Sequence, residues 1–437
     1  MERPRSDGLP LEGVRVLDLC VILAGTSACM VLADMGAEVI RVEPIQTFQP
    51  WTRGMMARPP KEILQSLFPY IGGFPNREPG ERPWNRYPLF QSHSKNKLSM
   101  TVDLKQPSGM DIFKRLVGVS DVIVDNNVPE TMDKLGITYE MTREVKADIV
   151  HIRAPAFGDS GPYRNHRAMA MQVEAFAGHD LLRGYPDMDP STNTQRVAAD
   201  AACGGTIVVA ALMALHYRNR TGKGQYIDIA MAESFIPHLR QAIMDYAMNG
   251  RIQRTIGNRD PSAVQGCYRC KGDDRWVNIT IGSDEEWEGF CRAAGNPPWT
   301  KEEKFADTLS RYQNHDELDT RIEEWTLNLD HYEVMHALQK EGVAAAPILD
   351  SCDAYENPQF RDREFFEQVV HEDCGTYLHP GVMFRMSKTP LHIRRGPVRL
   401  GEDNEYVYRD ILKVSDEEYA ELEKQGHIGM DYPSHVF

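Results

Sequence analysis

Between residues 14 and 153 the chain alternates short apolar runs with amphipathic ones, and no other feature limits the fold as much. Val14 to Leu19 reads as a buried strand. Ala24-Gly25-Thr26, a helical stretch from Ser27 to Met35, Gly36 as its stop and a strand from Glu38 to Glu43 follow it. The pattern returns as a strand from Leu98 to Leu104, a helix from Pro107 to Val117, a strand from Asp121 to Asp125, a helix near Met141 and a strand from Asp148 to Arg153. Strands joined through helices pair in parallel, and a parallel sheet needs cover on both faces. The expected class is therefore α/β, a large domain built on a Rossmann-like parallel sheet. Ligands of such sheets bind beyond the carboxyl ends of the strands, which singles out Val21, Ile22, Leu23, Asn126, Asn127 and the loop after Arg153.

Glu43 ends the second strand where the ribose-binding acid of a dinucleotide fold would stand. The first turn, however, has a single glycine in place of GxGxxG, which argues against a dinucleotide. Residues 46–95 then break the rhythm with prolines, arginines and the aromatics Trp51, Phe68, Tyr70, Trp84 and Tyr87 in no clear period. So long a segment in a compact protein is a lid, a binding surface or a subunit contact, or else a solvated insertion.

From about Gly250 the texture changes. Strand patterns around Tyr268 and from Trp276 to Ile281, joined by the turn Gly272-Asp273-Asp274, precede short acidic helices and read as a smaller α+β domain. Gly342 to Ile348 (GVAAAPI) reads as a buried strand returning to the first domain. A chain of 437 residues exceeds one core. The expected division is a discontinuous large domain, 1–225 and 335–437, carrying the 46–95 insertion, and a segment 226–334 made of a linker helix and the small domain.

A formal charge of −15 argues against nucleic acid and against an anionic membrane surface as partners. An anionic ligand would need a local cluster of Lys, Arg and backbone N–H groups. Eight scattered cysteines suit free thiols in a reducing compartment, and the one CxxC, Cys267 and Cys270, has no second pair to complete a zinc site, so no metal is expected. MERPRSDGLPLEG lacks the apolar core of a signal peptide, and no apolar run reaches the ~20 residues that span a bilayer, so the expected location is the cytoplasm.

The stretch Arg196 to Met231 stands apart. Asp200 immediately precedes a small, apolar run from Ala201 to Leu215, and basic residues and a Gly-rich turn close it. Asp200 reads as the first residue of a buried helix, where a carboxylate serves as a cap. Gly204 and Gly205, one turn in, cost about 1 kcal/mol each relative to alanine, and close approach by another chain or a ligand is a reason to accept that.

Taken together, LPLEGVRVLDL, LADMGAEVIRVEP, KNKLSMTVDLKQPSG, SDVIVDNNVPETMDKLGI, the Asp200 segment through RTGKGQYIDIAM, GVAAAPI and NPQFRDREFF resemble the class III CoA-transferases, in this order along nearly the whole chain. The resemblance implies an interlocked dimer, either a homodimer or a heterodimer with a related subunit. It implies coenzyme A, bound as an acyl-CoA, and a carboxylic acid as substrates. It places the nucleophile at Asp200, which would attack the thioester to give a mixed anhydride and then an aspartyl-CoA thioester. It places CoA contacts at Val21, Ile22, Leu23, Asn126, Asn127 and Lys134, at Val102, Leu104, Lys105 and Leu135 near the adenine, and at Arg167 for a phosphate. An arginine of the family after the second strand is replaced by Pro44, with Arg41 the nearest substitute, and the family's polar pair after the first strand by Val21 and Leu23. Its acidic residue upstream of the nucleophile is replaced at Met169-Ala170.

Similarity to the benzylsuccinate branch, with arginines and aromatics in the insertion, suggests succinyl-CoA as donor and an aryl dicarboxylate such as benzylsuccinate as acceptor. That branch pairs two different subunits, so a non-catalytic or half-catalytic chain is one alternative. Racemases of 2-methylacyl-CoA esters are the other, because His179-Asp180 imitates their proton shuttle. Here His179 precedes Asp200 by only 21 residues, and the aligned base position is Met169.

Overall fold

The computed structural model describes residues 8–60, 62, 73–194 and 197–437, so Phe68, Tyr70 and Arg196 of the sequence reading lie outside the described residues. The chain forms two compact units. One comprises Met1–Ala177, Gln195–Gln241 and Asp362–Phe437, the other Gly178–Thr194 and Ala242–Arg361.

The first unit is built on a six-stranded sheet of β1 (Arg15–Asp18), β2 (Glu38–Glu43), β3 (Leu98–Thr101), β4 (Val122–Asp125), β5 (Val150–Arg153) and β6 (Gln225–Asp228). The order is β3-β2-β1-β4-β5-β6, and every neighbouring pair is parallel. Alternate residues point to opposite faces. Val16, Val39, Val122, Val124, Val150 and Ile152 enter one core with α1 (Ala24–Asp34). Leu17, Ile40, Val42, Leu98, Met100 and Ile123 enter the other with α2 (Pro107–Gly118) and the C-terminal residues Val407 and Tyr408. Strands with two buried faces must be apolar throughout, and that gives VIVD at β4 its unbroken burial. Strand order reverses between β1 and β4, so a crevice opens at their carboxyl ends.

Three further helices cover the first face: α3 (Ala170–Ala177), α4 (Ala198–Thr221) and α5 (Met231–Phe235). Among the described residues α4 is the one helix long and apolar enough, by length and composition, to cross a bilayer. Its buried residues, among them Cys203, Ile207, Ala211 and Ala214, join the core with α1.

The described part of the 46–95 insertion is packed into this unit. Phe48, Ala57 and Trp84 are buried with Leu400, Tyr432 and Val436, and Phe74, Tyr87 and Phe90 with Val398. Four of its five arginines are engaged: Arg53 with both oxygens of Glu43 at 2.8 and 2.7 Å, Arg82 with Asp431 at 2.7 and 2.9 Å, Arg58 with the carbonyls of Tyr432 and Pro433, and Arg86 with those of Asp373 and Pro75.

In the second unit β7 (Val264–Arg269), β8 (Trp276–Ile281) and β9 (Ala344–Ile348) form an antiparallel sheet around Trp287, Phe290 and Phe305. GVAAAPI therefore supplies the third strand of this small sheet and does not return to the large one. It stands at the edge of the order β7-β8-β9 with alternating exposure, where its run of small apolar residues reads as a buried strand.

Candidate active site

The crevice floor is a chain of charges fully removed from water. Lys97 Nζ donates to Asp18 at 2.8 Å and to the Thr26 carbonyl at 2.7 Å. Arg41 lies 3.3 Å from Asp18 and 3.1 Å from Glu43. Burial opposes ionisation of both acids, but Lys97 and Arg41 hold the Asp18 carboxyl down at about 2, and Arg41 and Arg53 hold Glu43 there too. Glu43, at the place of a ribose-binding acid, is thus closed to a ligand. Arg41, the nearest substitute for the family's arginine, is likewise 1% exposed and paired with both acids. Ligating atoms of Asp18, Cys20 and Cys29 lie within 4.8 Å of one another, but two fixed cations already occupy Asp18, which makes that trio a poor metal site.

Above this floor the two predicted asparagines lock the β1–α1 loop. Asn126 accepts from the Val21 N–H at 2.8 Å and donates to the Val21 carbonyl at 2.9 Å, while Asn127 donates to the Leu19 carbonyl at 2.9 Å. Ile22 has a φ of 51°, a strained value for a β-branched residue, and its N–H donates to Thr52 Oγ1 at 3.0 Å. The loop turns tightly into α1 because residue 25 is glycine: a Cβ there would lie 2.4 Å from Cys20 Sγ.

Leu23, at the cap position of α1, makes no capping hydrogen bond with its side chain. The start of α4 packs beside α1, and there Asp200 sits, 8% exposed and near enough to the Ala24 N–H for that group to act on its carboxyl. Helix α4 begins at Ala198, so Asp200 lies inside the first turn and not before it. The cap of α4 comes from α3 instead: Glu174, 1% exposed, accepts from the Ala199 N–H at 3.2 Å. Sequence reading assigned Asp200 as the cap because the apolar run starts after it; the true cap, on another helix, has no local signature.

Burial pushes the Asp200 carboxyl up to about 6, the Ala24 N–H pulls it back, and the charge of Glu174 raises it further. Burial, with Asp200 beside it, takes the Cys203 thiol to about 12, so the thiol stays protonated. A carboxylate in a partly dry site at the positive end of a helix is poised as an oxygen nucleophile, and the same N–H groups suit an oxyanion formed next to it.

The remaining predicted contacts form two groups. Val102 is buried, Leu104 and Leu135 are half-buried against the same core, and Lys105 is exposed next to them in sequence. Lys134 is largely exposed, 2.6 Å from Glu130, and Arg167 is near enough to add to the lowering of the Glu130 carboxyl, where Lys134 is the main cause. These two cations therefore share a neighbourhood. Sequence reading missed an aromatic cluster in the loop after β5: Phe157 lies 5.0 Å from Phe176 on α3, and Tyr163 stacks on His166 at 4.9 Å. No period links those residues, which leaves nothing in the sequence to find them by. His179-Asp180 belongs to the other compact unit from Asp200.

The chain resembles known proteins in sequence and in fold. The profile of CoA-transferase family III matches residues 11–404. Succinyl-CoA–D-citramalate CoA-transferase of Chloroflexus aurantiacus is 30% identical over 95% of this chain and 97% of its own length. The beta subunit of succinyl-CoA–L-malate CoA-transferase of the same organism is 28% identical over 95% and 97%. Among solved structures, a CaiB/BaiF family protein from Brucella suis superposes with a TM-score of 0.77 at 27% identity, covering 92% of this chain and 99% of that one.

Proposed function

Because the chain belongs to CoA-transferase family III, whose substrates are CoA thioesters, we propose that it moves CoA from succinyl-CoA to a short dicarboxylic acid through a thioester on Asp200. The observation that carries this reading is the placement of Asp200 in the first turn of α4, against the N-terminus of α1. An Asp200 oxygen attacks the thioester carbonyl, the C–S bond breaks, and a mixed anhydride and CoA thiolate result. The thiolate attacks the aspartyl carbonyl, releases succinate and leaves aspartyl-CoA. The acceptor carboxylate repeats the two steps in reverse and regenerates Asp200. The Ala24 N–H and the dipole of α1 are the groups at hand to hold the negative charge that develops at each attack.

Succinyl-CoA as donor is supported by the names of both Chloroflexus relatives. The aryl part of a benzylsuccinate acceptor rested on the aromatics of the insertion, and the described ones, Trp51 excepted, are buried. Citramalate and malate therefore stand ahead of it as acceptors. The working form in this reading is a cytoplasmic dimer of the chain with itself or with a related subunit.

Intact and peptide mass spectrometry after incubation with succinyl-CoA and hydroxylamine tests the reading. A hydroxamate on the Asp200 peptide, absent in Asp200→Ala, is the expected result. Turnover assays with citramalate, malate and benzylsuccinate then identify the acceptor. Absence of a labelled peptide with every acyl-CoA tried, from the chain alone and with a related chain added, defeats the proposal.

A further inference from the structure

Glu174 is a buried acid that the reaction above does not use, and it stands one helix away from the residue that does the chemistry. Its 1% exposure and its 3.2 Å contact with the Ala199 N–H bind α3 to the first turn of α4, one residue before Asp200. A serine or threonine cap on α4 itself would bring no charge behind the nucleophile. This arrangement puts a second carboxylate there.

We propose, resting on the reading of Asp200 as nucleophile, that Glu174 is a positioning residue: it holds the first turn of α4 so that Asp200 meets the N-terminus of α1, and it sets a second carboxylate behind that nucleophile. The two parts separate by chemistry. Holding the turn needs only an acceptor for the Ala199 N–H, which a glutamine also offers. Raising the basicity of Asp200 needs the negative charge, which glutamine lacks.

The surroundings make the charge count. The first turn of α1 carries no charged side chain. On α4 the titratable neighbour is Cys203, neutral at physiological pH, and on α5 Ser234 interacts with that thiol while Glu233 is exposed. Of the groups acting on Asp200, burial and the Ala24 N–H are uncharged, so among the described residues Glu174 is the charge that acts on it.

The experiment measures the rate of hydroxamate formation at Asp200 against pH, with succinyl-CoA and hydroxylamine, for wild type, Glu174→Gln and Glu174→Ala. Wild type should show an acid limb near pH 6. Glu174→Gln should keep a single labelled site but move that limb to lower pH by about half a unit to one unit, with a lower plateau. Glu174→Ala, which strands the Ala199 N–H, should lose about tenfold or more at every pH. A Glu174→Gln profile superimposed on wild type overturns the inference, as does a wild-type plateau in Glu174→Ala. Should the alanine variant not fold, the glutamine profile alone decides. Absence of label in wild type would instead defeat the reading of Asp200 itself, so the two failures are distinct.

Discussion

Asp200 illustrates how one residue serves chemistry against stability. Burial keeps its carboxyl at about 6 when folded, against an ordinary value of 3.8, so the native state binds a proton that the unfolded chain releases between those values. Stability from this group is therefore present below about pH 4 and is lost as pH rises through 6. Replacing the carboxylate by an amide removes that penalty. Asp200→Asn should be more stable than wild type at pH 7.5 by on the order of 1–3 kcal/mol, with the difference closing as pH falls to 4. Urea unfolding at both pH values checks this, and equal differences at the two would sink it. The residue was legible in the sequence because an acid at the head of a small, apolar helix is conspicuous. Its protonation was not, because burial and Glu174 arise only when three helices meet.

At the scale of elements, α1 and α4 must lie close for Asp200 to meet the Ala24 N–H, and the two adjacent glycines of α4 differ in what they permit. A Cβ on Gly204 would come within 3.2 Å of the Ala24 carbonyl, whereas one on Gly205 would meet nothing within 4 Å. Gly204→Ala should force the helices apart at a cost of about 1–3 kcal/mol, offset in part by the about 1 kcal/mol that alanine adds to a helix, and should slow labelling of Asp200 severalfold. Gly205→Ala should raise the melting temperature by a few degrees and leave labelling unchanged. Destabilisation by Gly205→Ala would show instead that a second chain covers this face. Two glycines side by side look alike in a sequence, and only the packing of α1 tells them apart. The βα rhythm itself was legible because strands buried on both faces must be apolar along their whole length. The short strand β9 misled because AAAPI has that character on the edge of a small sheet.

For the whole molecule, the insertion read as a lid or contact surface proves, where described, to be part of the buried charge system at the carboxyl end of the sheet, and that system governs acid stability. Prolines and arginines without period gave no hint of it, since Arg53 finds Glu43, and Phe90 stacks under the Arg53 guanidinium at 3.9 Å, only after the segment has folded back. His93, at the end of the same segment, is 1% exposed; burial, then the Lys97 and Arg41 charges, push its pKa well below 6.5. Burial lowers His371, His379 and His427 as well, His379 to about 4. A histidine lowered on folding is protonated more readily in the unfolded chain, so stability is lost as pH falls below about 6.5, by about 1.4 kcal/mol for each tenfold difference in proton affinity. Asp34 and Asp200, both raised to about 6, act in the opposite sense over the same range. Asp18 and Glu43, held at about 2, keep their contribution until the pH drops below 4 and lose it toward 2. The histidines outnumber the raised acids, and protonated His93 would be a third cation beside Lys97 and Arg41. The first unit should therefore weaken moderately from pH 7 to 5 and collapse below 4. Hydrogen exchange of peptides covering β1 to β4 reads this unit alone. Protection should fall between pH 7 and 5 after correction for intrinsic exchange, and His93→Gln should flatten that fall; protection that holds constant down to pH 5 would show that the charges at the sheet edge do not govern its stability.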